Sequence, residues 1–260
     1  MAKIFTTEIT SESLPSDNPI HQRLFKAYVA AMTYVEGDVL EIGCGEGRGV
    51  ELLLQRAVTF TATDKIGPAL EVLQKKFPQA RFITMNFPPL TGLPDNSFDT
   101  VVSFQVIEHI QNDRLFLQEI QRVLKPGGVA LLTTPNRSLS LTRNPWHVRE
   151  YLASELKAIA SPVFSEVELK GITGNEKVMA YYEQNRKSVQ RLTRWDVFNL
   201  QYKLPAWVLR IPYEWLNRLN RNNLQQADNR LVTSITHEDY LVTDRPEDAL
   251  DLFLVVRKQR

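Results

Sequence analysis

The residues with the clearest chemical potential are Val39-Leu40-Glu41-Ile42-Gly43-Cys44-Gly45-Glu46-Gly47-Arg48-Gly49, where an apolar run meets alternating glycines, followed by the helix-like Val50-Glu51-Leu52-Leu53-Leu54. Backbone without Cβ at such a turn lets a ligand come close to peptide N–H groups and to a helix start. The spacing excludes two common nucleotide loops. The dinucleotide pattern G-x-G-x-x-G/A fails because Arg48 or Val50 stands at the third glycine position. The phosphate-cradling G-x-x-x-x-G-K-S/T is absent. Nineteen residues after Gly45, Asp64 ends the run Thr61-Ala62-Thr63. A carboxylate at the end of a second strand can accept hydrogen bonds from both ribose hydroxyls, with Lys65 and Ile66 bordering the base. The rival role for Asp64 is a helix N-cap. Cys44 at a helix start could be reactive, but a small buried filler is the better reading.

These residues need a rigid frame. Runs of strand length and β-branched composition occur at 38–42, 59–63, 80–85, 98–104 and 128–134. Between them, apolar residues fall at helical spacing, as in Leu115, Ile120, Val123 and Leu124 before the stop signal Lys125-Pro126-Gly127-Gly128. The alternation predicts an α/β fold, a parallel sheet with helices on both faces. Further strands are predicted at 163–169 and 250–256. The stretch between them is too long for a loop, and 175–230 reads as helical, with Trp195, Phe198 and Tyr202 at helical spacing. The organisation expected is a helical segment at 1–37 covering the ligand site, a core at 38–172 and 231–260, and a helical cap at 173–230.

Glu41 followed by Gly43, Gly45 and Gly47 resembles the first motif of class I S-adenosylmethionine-dependent methyltransferases. Leu93-Pro94-Asp95-Asn96-Ser97-Phe98-Asp99, Phe104-Gln105-Val106-Ile107-Glu108-His109-Ile110 and Leu124-Lys125-Pro126-Gly127-Gly128 resemble later blocks of the same superfamily, so the likeness spans 38–136 in order, closest to the ubiquinone- and menaquinone-type domain. The resemblance implies a Rossmann-like, seven-stranded, mostly parallel sheet with an antiparallel last strand. It also implies S-adenosylmethionine as cofactor and S-adenosylhomocysteine as product. The residues it places at the cofactor are Glu41, Gly43, Cys44, Gly45, Gly47, Asp64, Lys65, Ile66, Asn86, Phe87, Gln105 and Val106. Asn86 replaces an acid found in many relatives near the adenine amino group; its amide oxygen can still accept from that group. Some relatives bind a metal through E-x-x-E-H, but Gln105 removes one carboxylate here, and no dedicated metal is expected.

Thr134-Pro135-Asn136-Arg137 and Asn144-Pro145-Trp146-His147-Val148-Arg149-Glu150-Tyr151 resemble the segment that leads to the acceptor pocket in bacterial methyltransferases of sugars, glycans and lipid-linked molecules. His147 and His109 are the candidate bases for an oxygen acceptor, with structural hydrogen bonding as the rival role; Arg149 is a candidate anion holder, unless it pairs with Glu150 or Glu155. His21 and Arg23 lie on a helix that relatives often fold over the cofactor carboxylate; a solvated helix face is the alternative.

Composition narrows the partners. The chain has 260 residues, 31 Lys+Arg against 30 Asp+Glu and one cysteine, which argues against a dedicated nucleic-acid binder and a multi-cysteine zinc site. A polar start at Met1–Glu8 and the lack of a long apolar run predict a cytoplasmic protein without a signal peptide or spanning helix. Residues 175–230 hold ten Lys/Arg and five Asp/Glu, together with Trp195, Trp207 and Trp215. A basic, aromatic cap suits an anionic acceptor with an apolar or ring-shaped part. Its aromatics could rest on a membrane surface, form the cap's own core or make a homodimer contact. The leading expectation is methyl transfer, at oxygen, to a small molecule, glycan or lipid-linked acceptor. Alternatives are a methyltransferase of quinone or lipid intermediates and a catalytically silent cofactor-binding scaffold.

Overall fold

The computed structural model describes residues 14–194, 196 and 200–260. Met1–Glu8, Trp195 and Phe198 lie outside the described residues. In chain order the elements are α1 (Asn18–Ala31), β1 (Asp38–Ile42), α2 (Val50–Leu53), β2 (Thr59–Asp64), α3 (Gly67–Lys76), β3 (Arg81–Thr84), β4 (Phe98–Phe104), α4 (Asp113–Val123), β5 (Leu124–Pro135), α5 (Ala153–Ala160) and β6 (Glu166–Gly174). Then follow α6 (Glu176–Thr193), α7 (Leu200–Lys203), α8 (Ala206–Ala227), α9 (Asn229–Ser234), β7 (Tyr240–Thr243) and β8 (Asp251–Arg257).

The sheet order is β3-β2-β1-β4-β5-β8-β6-β7. The first five strands are mutually parallel, and β8 runs antiparallel between β5 and β6. Period-two alternation divides the buried side chains between two faces. Val39, Phe60, Val102, Leu131, Phe253 and Val255 face one layer with α1, α3 and α6; Leu40, Ile42, Val101, Leu132, Leu252 and Leu254 face α4 and α5. Helix α4 shows how the local code works. Asn112 caps it by accepting from Leu115 N–H at 3.1 Å, and Phe116, Leu117, Ile120 and Val123 form its fully buried stripe.

Among the described residues the sheet has eight strands, not seven. The added edge strand β7 is only four residues long and leaves Leu241 and Val242 about half exposed, so its pattern is too short and too wet to read. Strand β6 begins at Glu166 rather than Val163, because Val163 and Phe164 donate their N–H groups to Ala160 O and close the turn after α5. Strand β5 begins at Leu124, with a register shift opposite Phe98 and Thr100 that absorbs the Lys125–Gly128 stretch. The helices between β6 and β7 end at Ser234, and β6 extends through Gly174, so neither 173 nor 230 coincides with an element boundary. Trp207 and Trp215 are 73% and 66% exposed, so they are not the core of the cap. Among the described residues, no helix is long and apolar enough to cross a membrane.

Candidate active site

The parallel strand order reverses between β1 and β4, and ligands of open α/β sheets bind at such a point, outside the strand C-termini. A cleft of about 590 Å³ opens there. After β1 the chain turns so that Gly43 and Cys44 donate to Thr63 O at 2.7 and 3.2 Å. Gly45 donates to Asp64 Oδ2 at 2.8 Å, and Asp64 Oδ1 accepts from Ile66 N–H at 3.0 Å. Asp64 is therefore not the N-cap of α3; that position is Ile66, without a side-chain cap bond. Two glycines are required by geometry. At Gly43, φ is +81°, and a Cβ would run into Val106 Cγ2. At Gly45, φ is +54° and nothing lies within 4 Å of where a Cβ would sit. That open space lies on the cleft wall, beside a carboxylate with spare lone pairs.

Beneath the loop lies Glu41, 1% exposed. Its Oε1 accepts from the Tyr28 hydroxyl at 2.7 Å, whereas its Oε2 is buried without a hydrogen-bond partner among the described residues. Burial pushes the Glu41 carboxyl up to about 7, and burial together with Glu41 raises the Tyr28 phenol well above its ordinary range. The Cys44 thiol is likewise pushed upward by burial, which suits a filler rather than a reactive thiolate. Tyr28 sits edge-on to Phe104 at 4.8 Å between ring centroids, and both line the cleft. Gly43, Cys44, Gly45, Gly47, Asp64, Lys65, Ile66, Asn86, Phe87, Gln105 and Val106 all line it. Glu41 lies behind this wall rather than on it. Helix α1 adds His21, which accepts from Arg48 Nε at 3.2 Å, together with Leu24.

A second cleft, of about 270 Å³, adjoins the first; Leu24, Gln105 and His109 line both. Gln105 holds φ +57°, rare for a residue with a side chain, and its Nε2 donates to Thr133 Oγ1 at 3.3 Å. His109 Nδ1 is 2.9 Å from Trp146 O; a carbonyl only accepts, so Nδ1 carries the proton and Nε2 is the basic nitrogen. His147 differs. Its Nδ1 is 2.7 Å from Glu150 Oε1 and its Nε2 is 2.8 Å from Asn144 Nδ2, so both ring nitrogens are engaged by protein. Burial pushes Glu150 up, but hydrogen bonds from His147 and Ser140 outweigh it and hold the carboxyl below its ordinary range. Ligand-type atoms of Glu108, His109 and His147 lie within 4.8 Å of one another. Glu108, raised by burial, accepts from Thr134 at 3.0 Å, while its backbone carbonyl receives Val148 and Arg149 N–H groups.

Two buried carboxylates hold the arginines of the second cleft. Arg23 Nε is 3.2 Å from Asp251 Oδ2, and Asp251 is 1% exposed with its carboxyl raised by burial, against the pull of Arg23 and Gln105. Asp17, fully buried, accepts from Arg218 and Arg221 at 2.8 and 3.1 Å and so fastens α8 beside α1. Helix α1 is thus no solvated face. Arg149, expected as an anion holder, instead pairs with Asp113 at 3.1 Å and stacks over Tyr151; Glu155 pairs with Arg137. Further walls come from Tyr181, Tyr182 and Asn185 of α6 and from Tyr213, Asn217 and Asn220 of α8. Sequence reading missed these, together with Tyr28 and Asp251. In α8 the one visible signal is a polar face of Tyr213, Asn217 and Asn220 opposite an apolar one.

Residues 40–132 match the family described as "Methyltransferase domain". Over these residues the chain is similar to methyltransferase domains. A protein named "Probable S-adenosylmethionine-dependent methyltransferase" from Mycolicibacterium smegmatis is 41% identical over 136 residues, 50% of this chain and 52% of the relative. A ubiquinone biosynthesis O-methyltransferase from Paracidovorax citrulli is 29% identical over 105 residues, 38% of this chain and 44% of the relative. The chain spans about half the length of these curated relatives. Among solved structures, a SAM-dependent methyltransferase from Thermotoga maritima covers 92% of both chains at TM-score 0.57 and 14% identity. The [4+2]-cyclase SpnF reaches TM-score 0.55 at 16% identity, covering 92% of this chain and 81% of its own. Likeness at these identities shows the fold alone, and the cyclase illustrates that one fold can host different chemistries.

Proposed function

We propose that the chain is an S-adenosylmethionine-dependent methyltransferase that binds its cofactor in the first cleft and a hydroxyl-bearing acceptor in the second. The observation that carries this reading is the shared wall: Leu24, Gln105 and His109 line both clefts, so a donor and an acceptor would meet at those side chains. Two features fit the cofactor: Gly45 offers open backbone, and Asp64 keeps free lone pairs on both oxygens. When bound, the sulfonium supplies an electrophilic methyl group. Asp64 would take the ribose hydroxyls, Lys65, Ile66, Asn86 and Phe87 would surround the adenine, and Gln105 and Val106 would border the methionine end.

The chain's own contribution is to position and deprotonate. His109, fixed in the Nδ1–H tautomer by Trp146 O, presents Nε2 as the base that takes the acceptor hydroxyl proton. His147 acts through the loop it pins with Asn144 and Glu150. Asn, Ser, Thr and Tyr side chains on the second cleft offer both donors and acceptors. Its arginines are each answered by a buried carboxylate, which favours a neutral hydroxyl acceptor over an anionic one. The name of the ubiquinone-pathway relative agrees with transfer to oxygen.

The test is methyl transfer from labelled cofactor to fractionated polar metabolites and glycans. His109→Gln should lower turnover by roughly 10²–10⁴-fold, with S-adenosylhomocysteine affinity within about threefold of native. Full turnover in that variant removes His109 from the chemistry.

A further inference from the structure

Helix α8 is inverted with respect to water. Between Trp207 and Leu216 every exposed side chain is apolar: Trp207, Val208, Ile211, Pro212, Trp215 and Leu216. Its polar groups point the other way. Arg210 lies over the Trp146 ring at 4.1 Å, Tyr213 and Asn217 line the second cleft, and Arg218 and Arg221 reach Asp17. A surface helix ordinarily turns its apolar stripe inward. Trp207, Ile211 and Trp215 recur at four-residue spacing, so they form one continuous ridge, 66–74% exposed. Leu200 and Tyr202 of the preceding α7 are exposed as well. A contiguous apolar surface rimmed by charge marks a binding face rather than a chance exposure.

The rim identifies the occupant. Every exposed charged residue described from 187 to 216 is a cation: Lys187, Arg191, Arg194 and Lys203. Lys203 closes α7 just before α8, and α6, which carries Lys187 and Arg191, packs against α8. An exposed tryptophan ridge on a helix with cations on the neighbouring segments, Arg191 and Lys203 among them, matches a helix lying in the interface of an anionic bilayer, with the indoles at headgroup depth and the cations on lipid phosphates. A second copy seated on the same face would bring two cationic rims together, and like charges oppose that contact. We propose that this face of α8 docks the protein on anionic membrane surfaces. The proposal does not depend on the acceptor or on the chemistry assigned to His109.

Flotation of the full chain with phosphatidylcholine vesicles, with and without phosphatidylglycerol, tests it. Native protein should bind the anionic vesicles, at least about tenfold more tightly than the neutral ones, with a blue shift in tryptophan emission. The variant Trp207→Ser/Ile211→Ser/Trp215→Ser should lose at least about tenfold in that binding. Its affinity for S-adenosylhomocysteine should remain native, which reports that it is folded. Lys203→Glu/Arg191→Glu should weaken binding to the anionic vesicles alone. The proposal is overturned if native protein ignores anionic vesicles, or if the ridge variant binds them as native does. It is also overturned if sedimentation shows a dimer that the ridge variant abolishes while vesicle binding is absent.

Discussion

The buried acid under the glycine loop makes the protein's stability depend on pH in a way that one substitution should erase. Glu41 is 1% exposed and its carboxyl is raised from 4.5 to about 7, chiefly by burial, with the Tyr28 hydrogen bond pulling the other way. Below about pH 4.5 folded and unfolded chains both hold the proton, and the acid costs nothing. Between about pH 4.5 and 7 the unfolded chain releases it while the folded chain keeps it, so stability falls as pH rises through the folded value. At about 1.36 kcal/mol per unit, the full loss above pH 7 is roughly 3 kcal/mol. In Glu41→Gln the amide oxygen still accepts from Tyr28, but nothing ionises. The variant should gain about 3 kcal/mol relative to native between about pH 5 and about pH 8, equivalent to roughly 6–9 °C in Tm for a chain of this size. Urea unfolding of both proteins across that range measures the difference, in which the other raised acids, Glu108 and Asp251, cancel. A native–variant offset that stays flat with pH would refute the reasoning.

Three other outcomes follow from the geometry. Arg23→Met leaves Asp251 buried without its cation and should cost about 3–5 kcal/mol; urea unfolding should show most of it returned in Arg23→Met/Asp251→Asn. Asp17→Asn strips the shared carboxylate from Arg218 and Arg221, and hydrogen exchange should show faster opening of α8 with the sheet core unchanged. Because His109 Nδ1 and both His147 nitrogens already have protein partners, exhaustive chelation should leave turnover unchanged, whereas metal-restored activity would assign Glu108, His109 and His147 to a cation.

The parts legible in the sequence are those governed by local rules. Strands β1, β2 and β4 announce themselves by buried β-branched runs, and Gly43, Gly45 and Asp64 by backbone freedom and spacing. The less legible parts depend on what packs on what. Whether His109 or His147 keeps a free ring nitrogen is decided by Trp146 O, Asn144 and Glu150, none of which any periodicity singles out. The second cleft is built from α1, α6 and α8, distant in sequence: Asp17 ties α8 beside α1, and Asn220 of α8 bonds Asn185 and Ser188 of α6. Strand β7 pairs only with β6, across about seventy residues, and its own four residues are partly wet. The tryptophans of α8 were open to several readings because a helical stripe specifies a face, not which side of it meets water.

The central claim is that the glycine turn and Asp64 hold an adenosine moiety. Calorimetric titration of the full chain with S-adenosylhomocysteine tests it most directly. The account predicts one-to-one binding in native protein. In Asp64→Ala the affinity should fall by about a hundredfold or more, since two charge-assisted hydrogen bonds of roughly 1.5–3 kcal/mol each are removed. No heat of binding with native protein, or equal affinity in Asp64→Ala, would contradict it.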